Sequence, residues 1–507
     1  MKQCNESAEI DLNERLVAEY MSDVTICNML PFDRRNVDQF CSQCKCLKNL
    51  TITAPFSDGS MVLRRIISRR QAAMLASLQS LHIYPTFSIN TLNGNEFVLC
   101  GALNYLSIAN NILSGKFPDN LQSLSALEHL DLRKNRLHGL LPSSISVISR
   151  LQLLNLSQNC FTGPIPAEIS RLTMLKILDF SNNRFTCCPN EIGKLVALER
   201  LYLDSNFLHA IPSSITALSS LQILYLFRNH ISGPIPAEIS VLSKLRHFSV
   251  HTNKISGLIR STIGALTNLR RLNLSRNELE GCIPSQLAAL MFLQHCDLSE
   301  NQLTGTIPIH LTSLSLLETL DLHGNDLTGS IPSGISSLQC IQTLFVYRCK
   351  LTGIIPSQLS RLTCLQHLRL SECLFSGPIP VELSSLKALR HFDVHANHLT
   401  GRIPSELEAL TSLQIFDVSQ NQLRGRVPVE LAKLVELRYF DVSHNLLTGF
   451  IPPVLAGLSR LEQLKMSGNA LSKNVPHQLG ALASLQVCNL ISSLMVVESA
   501  CIVDVET

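Results

Sequence analysis

The chain has 507 residues, of which 45% are apolar and 16% charged, and its net charge is +3. That composition excludes a disordered polypeptide, and so small a charge over this length excludes bulk attraction to nucleic acid or anionic membrane. No run of about 18 apolar residues occurs, so no membrane-spanning helix is expected.

In chain order, the stretch from Met1 to Tyr20 carries Glu6, Glu9, Asp11 and Glu14 and no apolar core, so no secretory leader is expected there. Leu16, Val17, Tyr20, Met21 and Val24 predict an amphipathic helix. Leu63, Ile66, Ile67, Met74, Leu75 and Leu78 predict a second, capped by Asp58. The segments LKNLTI from Leu47 and LQSLHI from Leu78 read as strands of degenerate repeats. Residues 1–102 are thus expected to be a helical cap grading into irregular repeats, and their ten basic and ten acidic residues cancel. Arg64, Arg65, Arg69 and Arg70 read as a solvated helix face. Cys41, Cys44 and Cys46 lack a fourth ligand at workable spacing, which favours structural thiols over zinc. The seventeen cysteines are odd in number and do not space in pairs, which points to reduced thiols in a cytosolic protein rather than a disulfide framework.

From Leu103 to Ser484 the chain divides into sixteen segments of 24 or 23 residues. A period of this size marks a solenoid, because each segment buries its apolar face only by stacking on its neighbours. In the segment from Leu413, LQIFDVSQNQLRGRVPVELAKLVE, apolar residues fall at positions 1, 4, 6, 11, 15, 19 and 22. Positions 3 to 7 alternate as a strand does, and positions 15, 19 and 22 suit a short helical turn. Position 9 is Asn111, Asn135, Asn159, Asn183, Asn206, Asn229, Asn253, Asn277, Asn301, Asn325, Asn397, Asn421, Asn445 and Asn469 in fourteen segments, and Cys349 and Cys373 in the other two. A buried amide there is expected to serve both the N–H and the C=O groups that a bend leaves open. Gly at position 13 permits a positive φ. Pro at position 16 occurs in fifteen segments and ends any regular ladder, with Arg260 as the exception.

The pattern LxxLxLxxNxLxGxIPxxLxxLxx resembles the leucine-rich repeat, in the plant-type subclass of receptor-like kinases, receptor-like proteins and polygalacturonase inhibitors. The resemblance implies an α/β solenoid: a leucine-rich repeat superhelix with a parallel β-sheet on its concave face and short helical or 3-10 turns on its convex side. It also implies protein, peptide or small-ligand binding rather than catalysis. The chain departs from secreted members of the subclass in having no tryptophan, and no kinase motif accompanies the repeats. Residues 485–507 open a partial repeat, LQVCNL, and then lose the pattern, as a C-terminal cap or an altered frame would.

On this register positions 2, 3, 5, 7 and 8 face outward, over a sheet on the order of 75 Å long. Two stretches depart from a bland consensus of Asp, Ser and Gln. The first holds Tyr202, Tyr225, Phe227, Arg228, Arg246, His247, His251, Arg270, Arg271 and Arg276; Tyr202 and Tyr225 share position 5 on neighbouring strands and are expected to touch. The second holds Phe345, Tyr347, Arg348, His367, Arg369, Arg390, His391 and His395. Exposed Tyr, Phe and Arg favour a protein interface, here for a protein or peptide that is acidic or bears aromatic groups, although cross-strand stacking alone also places such residues on a sheet.

Asp131, Asp179, Asp297, Asp321, Asp393, Asp417 and Asp441 recur at position 5 and read as consensus residues rather than a metal or acid–base row. His391, Asp393 and His395 lie on one open strand with no pocket indicated, so no catalytic residue, metal or cofactor is expected. Sequons occur at Asn5, Asn49, Asn155 and Asn273, and glycans at Asn155 or Asn273 would obstruct the concave face, which favours an intracellular chain. The leading reading is a non-enzymatic scaffold or adaptor, cytoplasmic, that grips a protein partner. The alternative is the ectodomain part of a cell-surface receptor-like protein.

Overall fold

The computed structural model describes residues 8–9, 23–26, 47–52, 72–83, 100–118, 123–472 and 474–490. The expected helix around Leu16–Met21, the triplet Cys41, Cys44 and Cys46, the arginines from Arg64 to Arg70, and the tail after Leu490 lie outside these residues. Val24, placed in the first helix by its apolar spacing, instead belongs to the strand Asp23–Ile26.

The chain forms two compact units, Met1–Lys254 and Ile255–Thr507. In the first unit, eleven described strands from Ala8–Glu9 to His247–Ser249 pair in parallel in chain order. The segments LKNLTI and LQSLHI supply two of them, Asn49–Ile52 and Ser80–Ile83. In the second unit, ten described strands run in the same way from Arg271–Asn273 to Val487–Asn489. Equivalent repeat positions sit side by side: Ile415, Phe416 and Asp417 pair with Tyr439, Phe440 and Asp441.

The apolar positions form the core. Leu413, Phe416, Val418, Leu423, Val427, Leu431 and Leu434 are all buried, and phenylalanines at position 4 stack from repeat to repeat, with Phe416 5.8 Å from Phe392 and 5.5 Å from Phe440. The return path of each repeat is a 3-10 turn. Fifteen are described, from Ser143–Val147 to His477–Ala481, and all but one follow a proline in extended conformation. Arg260 holds the same conformation (φ −70°, ψ 146°) without the ring. Among the described residues one α-helix occurs, Ala72–Ser77.

The asparagines bind repeat to repeat. Asn421 Nδ2 donates to Val394 O of the preceding repeat at 3.0 Å and to Val418 O and Ser419 O of its own. Its Oδ1 accepts the Leu399 N–H of the preceding repeat at 2.9 Å. One side chain thus serves four backbone groups, two in each layer. Cys373 replaces this set with a thiol that donates to Val346 O at 3.3 Å.

Two features add to the expected repeat. A second run of short parallel strands follows the asparagine, as in Arg136–Leu140, Cys160–Pro164 and Arg184–Cys187. Gly163 in this run has φ +75°, and a Cβ on it would fall onto Leu140 Cδ2 of the preceding repeat. Glycine at position 13 therefore serves the turn, and at Gly163, unlike Gly233, a slot as well. In addition, the residue before position 9 is left-handed, whether asparagine or cysteine follows: Arg228, Arg276, Glu300, Arg348, Glu372 and Gln420 have φ between 48° and 53°, a conformation that costs a residue with a Cβ about 1 kcal/mol or more.

Candidate functional site

Main strands such as Ile223–Tyr225, Thr343–Phe345 and Ile415–Asp417 bury the middle residue and leave positions 3 and 5 half-exposed on one sheet face, while Asp131, Asp393 and Asp441 at position 5 are buried. Position 7 behaves differently from expectation. Where it is serine it tucks under position 5: Ser419 N and Oγ both donate to Asp417 Oδ1, at 3.0 and 2.6 Å. The same bonds join Ser181 to Asp179 and Ser443 to Asp441. The row of aspartates thereby closes the backbone bend that follows each strand, which accounts for its recurrence.

In the first unit, bulky residues at positions 5 and 7 build an aromatic surface. The Tyr202 and Tyr225 rings meet edge to face at 5.4 Å. Tyr225 lies 5.6 Å from Phe227, and Phe227 stacks on His251 at 4.4 Å. Tyr225 Oη is 3.3 Å from His247 Nδ1. Arg228 and Arg246 are exposed beside this cluster. Beneath it, burial pushes Asp204 up to about 6, with Asp179 adding to the shift. On the same unit a cavity of about 610 Å³ opens over Tyr105, Asp131, Lys134 and Asp179. It is not legible in the sequence, because Ser107, Ser157, Gln158 and Ser181 in its lining are consensus residues of the repeat.

In the second unit Arg270, Arg271 and Arg276 are exposed. Of the other predicted residues, Phe345, Tyr347, Arg348, Arg369 and His395 belong to one network. The Arg369 guanidinium carbon lies 4.1 Å from the centre of the Tyr347 ring and 5.7 Å from that of Phe345, and Arg369 Nε donates to Asp393 Oδ2 at 3.1 Å. Tyr347 stacks on His323 at 4.2 Å. His323 Nδ1 and His395 Nδ1 take the place of the serine, reaching Asp321 at 2.6 Å and Asp393 at 2.7 Å. Their far nitrogens point toward Glu300 (3.3 Å) and Glu372 (3.8 Å). Arg276 and Arg348 pair with those same glutamates at 3.1 and 3.0 Å. Arg390 is exposed at the rim.

Charge in the second unit is therefore matched rather than basic: Arg276, Arg348 and Arg369 each face a carboxylate. The Asp393 bond raises the His395 pKa, and Asp417 and Glu372 reinforce it against burial. Burial opposes the charge on His323, and Asp321 and Glu300 outweigh it, so its pKa also rises. His391 behaves oppositely. Burial brings it down to about 4, and its ring faces His367 at 6.2 Å rather than joining Asp393 and His395 in a triad. Asp393, His395 and Asp417 each bring a ligand atom within 4.8 Å of the others. Asp393 is committed to Arg369, Ser371 and His395, which makes the group an ion-pair junction.

Of the described cysteines, Cys100, Cys296, Cys349 and Cys373 are buried, and all eleven are free thiols. Among the described residues no helix is long and apolar enough to cross a membrane.

Family signatures match along the chain: "Leucine-rich repeat region" at 166–295, "Leucine rich repeat" at 101–161 and 125–185, and "Leucine Rich Repeat" at 292–314, 316–338, 364–386 and 436–458. Curated proteins give no match. Among solved structures, the ectodomain of the Arabidopsis thaliana membrane receptor kinase GASSHO1/SCHENGEN3, in complex with CASPARIAN STRIP INTEGRITY FACTOR 2, is similar at 28% identity and a TM-score of 0.75 over 92% of this chain. This chain spans 60% of that one. A TDR receptor is similar at 30% identity and a TM-score of 0.79, with 85% of this chain and 74% of that one covered. The plant peptide hormone receptor RGFR1, in complex with RGF2, is similar at 28% and 0.76, with 92% and 76% covered.

Proposed function

We propose, from the premise that this chain belongs to the leucine-rich repeat proteins of the plant receptor type, that its open sheet face binds an extended peptide or a protein segment in the manner of a receptor ectodomain. The observation that carries this reading is the row of half-exposed aromatic rings Tyr202, Tyr225, Phe227 and His251 on the first unit's sheet. Rings of this kind, rigid and partly desolvated before any partner arrives, are the anchors that interfaces use. The structural likeness to a plant peptide hormone receptor solved in complex with RGF2, and to a receptor kinase ectodomain solved in complex with CASPARIAN STRIP INTEGRITY FACTOR 2, supports the same reading. It also supports the receptor alternative over the cytosolic scaffold that cysteine usage and sequon placement suggested.

The mechanism is fit to a preformed surface. A backbone held by four bonds at each asparagine has little freedom to rearrange, so binding energy is not spent on ordering the sheet. Arg228 and Arg246 extend the aromatic row with cations on the first unit, and Arg270, Arg271 and Arg390 are exposed cations of the second. Arg369 acts with Tyr347 and Phe345 as a stacked platform, and Arg348 is paired with Glu372, so neither is open positive charge.

The test is selection of randomised, surface-displayed peptides on the full chain, followed by binding of the selected peptides to Tyr225→Ala and Arg228→Ala. The reading predicts enriched sequences that lose affinity on these variants while their melting temperatures stay near the parent value. Enrichment of nothing, or undiminished binding to both variants, overturns it.

A further inference from the structure

Four side chains of the second unit return 72 residues later, three repeats on: Arg276, Glu300, Asp321 and His323, then Arg348, Glu372, Asp393 and His395. They are bonded alike. In each set the arginine pairs with the glutamate, at 3.1 and 3.0 Å. The histidine is held to the aspartate, at 2.6 and 2.7 Å, and turns its other nitrogen to the glutamate. Both arginines and both glutamates sit on left-handed backbone, with φ of 53°, 48°, 52° and 52°, so the same local geometry presents them. Their side chains are the exposed part of each set: 62% and 44% in the first, 63% and 37% in the second. The histidines lie behind, at 13% and 22%. The Tyr347 ring stands between the sets, stacked on His323 and covered by Arg369.

Each set therefore offers a guanidinium beside a carboxylate, fixed from behind. An acidic side chain drawn to the arginine would also meet the glutamate. A neutral primary amide meets no such conflict: its C=O accepts from the guanidinium and its NH₂ donates to the carboxylate. The spacing is equally restrictive. Three strands of a sheet span ~14 Å at about 4.8 Å each, and an extended chain advances about 3.4 Å per residue, so the two addresses fall about four residues apart. Four is an even step, which turns both side chains to the same side of the ligand. The residue midway turns to that side as well and comes over the His323–Tyr347 stack.

We propose that the second unit reads an extended peptide that carries Asn or Gln at two positions four residues apart, with an aromatic or aliphatic residue midway between them. This rests on the peptide-binding reading above and gives it a ligand class. It also replaces the acidic partner expected from the arginines alone.

The experiment compares synthetic peptides on the full chain by fluorescence anisotropy: Ala-Gln-Ala-Phe-Ala-Gln-Ala, a version with the second Gln moved one place nearer, and a version with both Gln replaced by Glu. The first should bind about ten-fold more tightly than either of the others, the loss expected for one unmatched hydrogen-bonding address. Glu372→Gln, which keeps the shape and removes the acceptor charge, should remove that preference without a change in melting temperature. Glu300→Gln should do the same from the other set. Equal affinity for the shifted peptide, or a preference for the acidic one, overturns the proposal. Randomised-peptide selection separates the two readings. Enriched sequences without this spacing overturn the amide rule and leave peptide binding intact, whereas an absence of enriched sequences overturns both.

Discussion

The Arg369 guanidinium carbon lies over the Tyr347 ring, 4.1 Å from its centre, while Nε of the same side chain donates to Asp393 at 3.1 Å. One arginine thus joins the aromatic platform of one repeat to the ion-pair junction of another. The contact is worth about 1 kcal/mol, since Arg369 is partly exposed. Tyr347→Ala should lower unfolding free energy by about that amount in urea denaturation, and Tyr347→Phe, which keeps the ring, should not. A Tyr347→Phe loss as large as that of alanine would show that the hydroxyl rather than the stack carries the effect.

The asparagine ladder gives a larger and more uniform cost. Asn421→Ala leaves the Leu399 N–H without its partner and takes one of two donors from each of three carbonyls, which keep Asn397 Nδ2, Asn445 Nδ2 and the Ala396 N–H. A loss of about 1–3 kcal/mol is expected, the desolvation penalty of one buried N–H left unpaired. The converse change is available at Cys373, where Asn would restore the missing set. Cys373→Asn should raise the unfolding midpoint, by about 1 kcal/mol in free energy. Chemical denaturation of both variants checks the pair, and destabilisation by Cys373→Asn would refute the equivalence of the two positions.

At position 13 the slot and the turn make separable demands. Gly163→Ala meets both the positive φ and Leu140, and should cost about 2 kcal/mol. Gly233→Ala has a φ of +80° but open space around it, and should cost about 1 kcal/mol. Adding Leu140→Ala to Gly163→Ala should recover the difference between them in a double-mutant cycle. Strict additivity would mean the slot contributes nothing.

Two histidines on neighbouring positions of the second unit should leave opposite marks on stability against pH. His395 has a folded pKa raised above 6.5 by Asp393. Its contribution is present in full below 6.5 and fades as pH rises through the raised value. His391 is lowered to about 4 by burial, so the folded form holds its proton less well than the unfolded one, and stability is lost as pH falls from 6.5 toward 4. His395→Gln should flatten the decline on the alkaline side, whereas His391→Gln should hold stability further into acid. Urea unfolding from pH 4 to 9 reads both slopes. Two unchanged profiles would show that neither ring titrates as described.

Much of this was legible in the sequence because a period of 24 residues assigns every side chain a layer. The core positions, the asparagines, the proline before each turn and the contact of Tyr202 with Tyr225 all follow from that one number. The network around Arg369 was harder. Arg348 with Glu372, and Arg276 with Glu300, lie 24 residues apart in the same column, so their pairing is a column property that reading along one strand does not show. Reading arginines without their columns made the second surface look basic. The tucking of serine at position 7 and the left-handed residue at position 8 have no compositional mark either. Both arise from the bend that the asparagine closes, and residues as different as Glu, Gln and Arg occupy the latter.

The second run of short strands is not continuous. In the first unit it proceeds through Arg184–Cys187 and has no described member in the following repeat, where Phe207–Ile211 stands in place of a strand. Those two repeats are the ones with 23 residues. The main ladder passes this point unbroken, with Arg200–Tyr202 still paired on both sides. The flank there is tied to its neighbours by backbone bonds at Phe207, Leu208 and His209, and extra chain entering beyond them leaves the main ladder zipped. A tag or a small domain spliced after Ala210 should therefore be carried as a passenger, leaving the sheet face and its ligand undisturbed.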